Sequence, residues 1–143
     1  MPDVESVAKL LLINEKGEIL VLRRSEYLAH PEKSHMPDLP GGIVDPGESE
    51  RTAVVRELKE EAGIIIDDDD VKLGYARTYF YENERKSVSK LLYVAHVDYT
   101  PDVVVSWEHE AFVWWNKDEL QEKYPLREFY AEGLKYLLDH KFI

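Results

Sequence analysis

Glu57, Glu60 and Glu61 stand at helical spacing inside the run VVRELKEEA that spans positions 54–62. Positions i, i+3 and i+4 share one face of an α-helix, and at 100° per residue the three carboxylates fall within a sector of about 100°. Val54, Val55, Leu58 and Ala62 occupy the adjoining sector, so an apolar side borders an acidic one. Like charges at i, i+4 weaken a helix by roughly 0.2–0.5 kcal/mol per pair, a cost that folding does not call for. A divalent cation that prefers oxygen ligands reverses the sign of that cost, because the crowded carboxylates become its ligands. For these three glutamates alone, a solvated acidic face is the plain alternative.

The surrounding residues narrow that choice. From Gly42 to Ile64 the chain reads GIVDPGESERTAVVRELKEEAGI. Gly42, Glu48, Arg56, Glu57, Leu58, Glu60, Glu61, Gly63 and Ile64 fill every fixed position of the pattern G-x5-E-x7-R-E-U-x-E-E-x-G-U, where U is a bulky aliphatic residue. This segment resembles the signature of the Nudix hydrolases. The resemblance implies an α/β/α sandwich with a mixed β-sheet, in which the signature forms a loop–helix–loop. It also implies Mg²⁺-dependent hydrolysis of a diphosphate bond, with Mn²⁺ able to substitute because it accepts the same oxygens. Glu57, Glu60 and Glu61 would be the metal ligands, joined by the backbone carbonyl of Gly42. Magnesium bridging the phosphates neutralises the charge that repels a nucleophile, orients a water and steadies the leaving oxygen. Glu60 or Glu61 is a candidate to act on that water as well. Arg56 is implied to orient a glutamate of the catalytic group without binding metal, through an ion pair with Glu48 or Glu57.

Positioning these groups requires a scaffold, and the flanking sequence supplies its parts. Ser6 to Asn14 is an apolar, strand-like run, turned by Glu15-Lys16-Gly17-Glu18 into a second strand from Ile19 to Arg23. Arg24 to Asp38 reads as loop, with Pro31, Pro37, His30 and His35. Ser49 is a good N-cap, and Gly63 can take the left-handed conformation that ends the helix near Ala62. The acidic run Asp67 to Asp70 reads as a solvated turn. Val71–Glu82 and Lys86–Val97 form a long hairpin, Ala111–Trp115 a short and wholly apolar strand, and Asn116 caps a helix from Lys117 to Glu122. A last amphipathic helix from Arg127 to His140 would bury Phe129, Leu134, Tyr136, Leu137 and Leu138.

Candidates outside the signature follow from the same resemblance. Related enzymes place a further glutamate in the loop ahead of the strand at Ala111–Trp115, as a metal ligand or general base. Glu108 and Glu110 both qualify, and the choice between them and Glu60 or Glu61 stays open. His109 between them reads as a surface histidine. Arg23 and Arg24 end the second strand, and one of the two should face the cleft, since consecutive strand residues point opposite ways. Arg77, Tyr79 and Tyr81 alternate along one strand face and could line a base pocket by stacking. One position departs from the form common among relatives that act on oxidised nucleoside triphosphates: Pro37 stands where they carry tryptophan.

Bulk composition bounds what remains. The 143 residues suit one domain, residues 1–143, with a sizeable core. No cysteine is present, which excludes disulfides, thiolate metal sites and a thiol nucleophile. It also removes the isoprenoid diphosphate isomerases that share the fold and use one. A net charge of −11 argues against general nucleic-acid binding. No run is apolar enough for a membrane span or a signal peptide, so the expected location is the cytoplasm. The expected substrate is a small nucleoside diphosphate joined to another group, foremost a nucleoside triphosphate. An ADP-ribose or nucleotide-sugar hydrolase and a non-catalytic nucleotide-binding module are the alternatives. Whether the protein forms a homodimer is left open.

Overall fold

The computed structural model describes residues 3–143. Seven strands form one mixed sheet: β1 (Asp3–Ile13), β2 (Ile19–Arg24), β3 (Pro37–Asp38), β4 (Gly41–Ile43), β5 (Lys72–Tyr81), β6 (Lys86–His96) and β7 (His109–Trp115). Three helices cover it: α1 (Glu50–Ala62), α2 (Lys117–Lys123) and α3 (Glu128–Asp139). β1 runs parallel to β6 from Asp3↔Lys86 to Ile13↔His96, while β5 pairs antiparallel with β6. At the other flank β2 pairs antiparallel with both β3 and β7. β1 and β2 touch only at Ile13↔Ile19, and β4 fills part of the space that opens between them by pairing with β1. The sheet therefore splays where the loop before α1 enters.

Burial explains the layering. Leu10, Leu11, Leu12 and Ile13 are all buried, as a strand covered on both faces requires. Even-numbered Leu10 and Leu12 join Val54, Leu58 and Ala62 of α1 in one cluster. Odd-numbered Leu11 and Ile13 join Leu120, Phe129, Leu134 and Leu137 of α2 and α3 in the other. This is the α/β/α sandwich. No helix among the described residues is long and apolar enough to cross a membrane.

Several boundaries differ from expectation. The loop after β2 holds a one-turn 3-10 helix at Pro31–Lys33 and the two-residue β3. The last strand begins at His109, and its Phe112 and Val113 lie largely in the open because β7 is an edge strand. Tyr136 of α3 is 38% exposed and stacks on His140, so the buried stripe of that helix is narrower than its sequence suggests.

Candidate active site

Local chemistry fixes α1 at both ends. Ser49 accepts a hydrogen bond from the Thr52 amide at the start, and Gly63 closes the helix at φ 69°. The last carbonyls are taken up by a distant segment: Val104 N–H donates to Ala62 O, and Ser106 N–H to Glu61 O. That pairing ties the approach to β7 onto the end of α1. It is why His109, three residues after Ser106, arrives beside Glu61. At the other side, Gly41 has φ 131°, and a Cβ there would lie 2.1 Å from Ala8 O, so only glycine lets β4 come this close to β1.

The stripe of acids is not uniform. Glu60 is exposed, whereas Glu61 is 2% exposed. Glu61 Oε1 accepts from Gly41 N–H at 3.1 Å. Burial pushes its carboxyl up to about 9, and the adjoining Glu57 carboxyl adds to the rise. Glu57 Oε1 lies 3.4 Å from where a Cβ on Gly42 would sit, so the missing side chain leaves space against that oxygen. Arg56 gathers the outer acids: Glu48 at 2.7 Å, Glu60 at 3.0 Å, Glu57 at 3.2 Å and Asp45 at 3.5 Å. The sequence left Glu48 and Glu57 as alternative partners of Arg56, and it holds both.

A second charged group lies inward of Glu61 and was not foreseen. Lys9 is buried in β1; its Nζ donates to Asp38 at 3.0 Å and to the carbonyls of Leu39 and Gly41 at 3.2 Å each. Arg24 donates to the same Asp38 oxygen at 3.1 Å. Burial alone would raise the Asp38 carboxyl, but Lys9, His109 and Arg24 together hold it well below the usual carboxylate range. Lys9 in turn stays protonated: burial works most strongly against its charge, and Asp38, Tyr130 and Glu61 together outweigh that. His109 is 5% exposed, not a surface residue, because the tether at Ser106 draws it under α1. Its Nε2 meets Asp38 Oδ2 at 3.1 Å, and its Nδ1 faces Glu61 Oε2 at 3.6 Å. The one signal in the sequence was a single lysine within the otherwise apolar run from Val7 to Ile13. Ligand atoms of Asp38, Glu61 and His109 lie within 4.8 Å of one another. A cation among them would sit beside the ammonium of Lys9 and the guanidinium of Arg24, which already hold Asp38 Oδ1, and their charge works against an ion there.

The remaining candidates fall in three places. Arg24 faces Asp38 and lines a cleft of about 900 Å³ on the α3 side of the sheet, together with Lys33, Lys90, Arg127 and the acids Glu32 and Glu128. Among the described residues Lys33, Lys90 and Arg127 make no ion pair. Arg23 and Glu110 lie outside the lining of that cleft, where Glu110 meets His35 Nδ1 at 2.6 Å and Arg23 at 3.9 Å. Glu108 is exposed, and its carbonyl accepts from Ser25 N–H. Arg77, Tyr79 and Tyr81 share a face of β5, outside the lining of the cleft: Arg77 is tied to Glu132 of α3, and Tyr79 packs against the α3-side core. Lys90, which does line the cleft, stands 5.3 Å from the Tyr79 ring centre.

A layered α/β/α sheet carrying an acid-striped loop–helix–loop defines the class of the Nudix hydrolases. The NUDIX domain family matches residues 4–137, and the chain belongs to it. It is thus a hydrolase of phosphoric anhydride bonds. The chain is 30% identical over 130 residues to an asymmetrical bis(5'-nucleosyl)-tetraphosphatase of Mus musculus, covering 87% of this chain and 83% of that one. It is 32% identical over 129 residues to a CTP pyrophosphohydrolase of Escherichia coli (strain K12), covering 88% and 84%. Among solved structures, a MutT protein from Methanosarcina mazei Go1 superposes with a TM-score of 0.78 at 27% identity, covering 98% of this chain and 96% of that one.

Proposed function

We propose that this protein is a divalent-cation-dependent pyrophosphohydrolase of small nucleotides, with a nucleoside triphosphate as its foremost substrate. The observation that carries the reading is the complete set of box acids, folded so that Glu57 and the buried Glu61 adjoin the space against Gly42. That all-oxygen set suits a hard dication such as Mg²⁺, which Glu57, Glu60, Glu61 and the Gly42 backbone would hold. When bound, the ion would supply charge neutralisation of the phosphates and acidify a water. Arg56 keeps Glu57 and Glu60 turned toward each other and offsets their repulsion in its absence. In the α3-side cleft Arg24, Lys33, Lys90 and Arg127 outnumber Glu32, Asp38 and Glu128, a local excess of positive charge in an otherwise acidic protein that would favour an anionic part of the substrate. Glu108 or Glu110 remains in this reading the outlying carboxylate for a base role, and Arg23, Arg77, Tyr79 and Tyr81 are outlying contacts for the substrate.

A second reading, a dinucleoside polyphosphate as substrate, is supported by the mouse relative, a bis(5'-nucleosyl)-tetraphosphatase, and by a cleft roomy enough for more than one phosphate-bearing group. The test is a panel of nucleoside triphosphates, dinucleoside polyphosphates, ADP-ribose and nucleotide sugars, with Mg²⁺, Mn²⁺ or EDTA and product identification by mass spectrometry. Cation-dependent release of a nucleotide from a triphosphate is the expected result. Tight binding across the panel without release of any product would replace the enzyme with a nucleotide-binding module.

A further inference from the structure

His109 is placed where nothing in the proposed chemistry requires it. Its side chain is buried, its Nδ1 has no hydrogen-bond partner, and that nitrogen is aimed at the oxygen of Glu61 that Gly41 does not occupy. On its other edge, Nε2 donates to Asp38, a carboxylate kept ionised by Lys9 and Arg24. The Asp38 contact therefore fixes the ring's rotation and leaves Nδ1 to serve Glu61. At 3.6 Å the pair stands just beyond hydrogen-bond range, and a small turn of the Glu61 carboxyl closes it. One hydrogen satisfies the contact whichever of the two groups carries it, so Glu61 finds a partner with or without a cation beside it.

We propose that His109 is a positioning residue: pinned by Asp38, it holds Glu61 Oε2 from behind while Gly41 N–H holds Oε1, and so sets the edge that Glu61 turns toward Glu57 and the bound cation. This inference rests on the reading of Glu61 as a metal ligand. It also assigns a purpose to the buried chain Lys9–Asp38–His109, which Arg24, bound to Asp38 from the cleft, connects with that cleft. Groups that orient a ligand in this way typically change metal affinity or activity by 10–100-fold when removed.

The experiment compares His109→Asn and His109→Gln with the unaltered protein by Mn²⁺ titration under electron paramagnetic resonance, followed by steady-state kinetics. Asparagine can reproduce a polar atom near Nδ1, facing Glu61, while glutamine can reproduce one near Nε2, facing Asp38. The expected order of Mn²⁺ affinity is unaltered protein, then His109→Asn, then His109→Gln, with the last weakened about 10–100-fold. Its kcat should fall by a similar factor while KM for the nucleotide stays within about twofold. Equal affinities for the two variants, or the reverse order, would make His109 a mere anchor for Asp38 and overturn the proposal. Should either variant fail to fold, nitrogen-15 histidine spectra of the unaltered protein decide: added Mg²⁺ should move the His109 Nδ1 resonance well beyond the Nε2 one. An unmoved Nδ1 in protein that binds Mg²⁺ overturns the proposal. Absence of any binding by the unaltered protein would instead remove the metal reading beneath it.

Discussion

Two charged hubs flank the box helix, and they are built as opposites. On the outside one cation, Arg56, is shared by four carboxylates, Asp45, Glu48, Glu57 and Glu60. On the inside one carboxylate, Asp38, is shared by Lys9, Arg24 and His109. The outer hub borders solvent, where an ion pair contributes little and salt weakens it. In the inner hub only Arg24 reaches the cleft, and the buried Lys9 and Asp38 depend on each other to remain charged. Glu57 and Glu61 stand where the hubs meet. The difference suggests a division of labour: the outer hub can loosen and exchange partners for a cation, while the inner one gives Glu61 a fixed backing.

The largest contrast should come from deleting each centre. Asp38→Ala leaves the Lys9 ammonium buried without its carboxylate, and losing one partner of such a pair costs about 3–5 kcal/mol. Urea denaturation should register that loss as a lower midpoint; a change under about 1 kcal/mol would mean that Lys9 reaches water. Next in size is Glu57→Gln, at the junction. It should lower kcat by more than about 100-fold, beyond what an orienting residue commands. Activity within tenfold of the unaltered enzyme would take Glu57 out of the ligand set.

Acidity separates the hubs in a different way. In the metal-free fold Glu61 keeps its proton up to about pH 9, whereas its ordinary value is 4.5. Between those values the folded state binds more protons than the unfolded chain, so stability falls as pH rises through that window. Asp38 has the opposite sign, since its carboxyl is depressed: its contribution is complete above the ordinary 3.8 and is lost only under more acidic conditions. Unfolding midpoints measured in EDTA should therefore decline from about pH 5 to about pH 9. Mg²⁺ should flatten the decline, because binding expels the Glu61 proton. A profile in EDTA that does not fall would place Glu61 in water.

The outer hub was legible in the sequence and the inner one was not, for a physical reason. Glu57 and Glu60 share a helix face by periodicity, and the pattern that the segment resembles pairs Arg56 with Glu48 or Glu57. Ser49 and Gly63 announce the ends of that helix through capping chemistry that depends on a few adjacent residues. The five longer strands were likewise visible, with boundaries off by up to three residues, as at Asp3, where pairing with Lys86 of β6 extends β1. By contrast, Lys9 and Asp38 are 29 positions apart, and Asp38 and His109 are 71 apart. Their burial arises only after β1, β3 and β7 are brought together. A histidine between two glutamates carries no local mark of an interior position. The same dependence on register set Glu110 against His35 and Arg23: it is the extra residue of an irregularity in the ladder, where Arg23 pairs with Ala111 and Arg24 with His109.

The smallest effect tests whether the outer hub is as loose as its exposure implies. Arg56→Gln removes the cation from all four carboxylates, yet the pairs border water, and Asp45 and Glu60 keep more than half of their side-chain surface exposed. The stability loss should therefore be at most about 1 kcal/mol in EDTA. It should shrink further in high salt, which screens the uncovered carboxylates from one another. Mg²⁺ should also compensate, since a dication gathered by Glu57 and Glu60 replaces the missing positive charge. The chemistry should respond separately: with Arg56 gone, Glu57 and Glu60 lose the contacts at 3.2 Å and 3.0 Å that set their relative direction. Higher Mg²⁺ should then be needed for half-maximal rate, while KM for the nucleotide is little changed. A stability loss of several kcal/mol that neither salt nor Mg²⁺ relieves would show the outer hub to be structural in the same sense as the inner one.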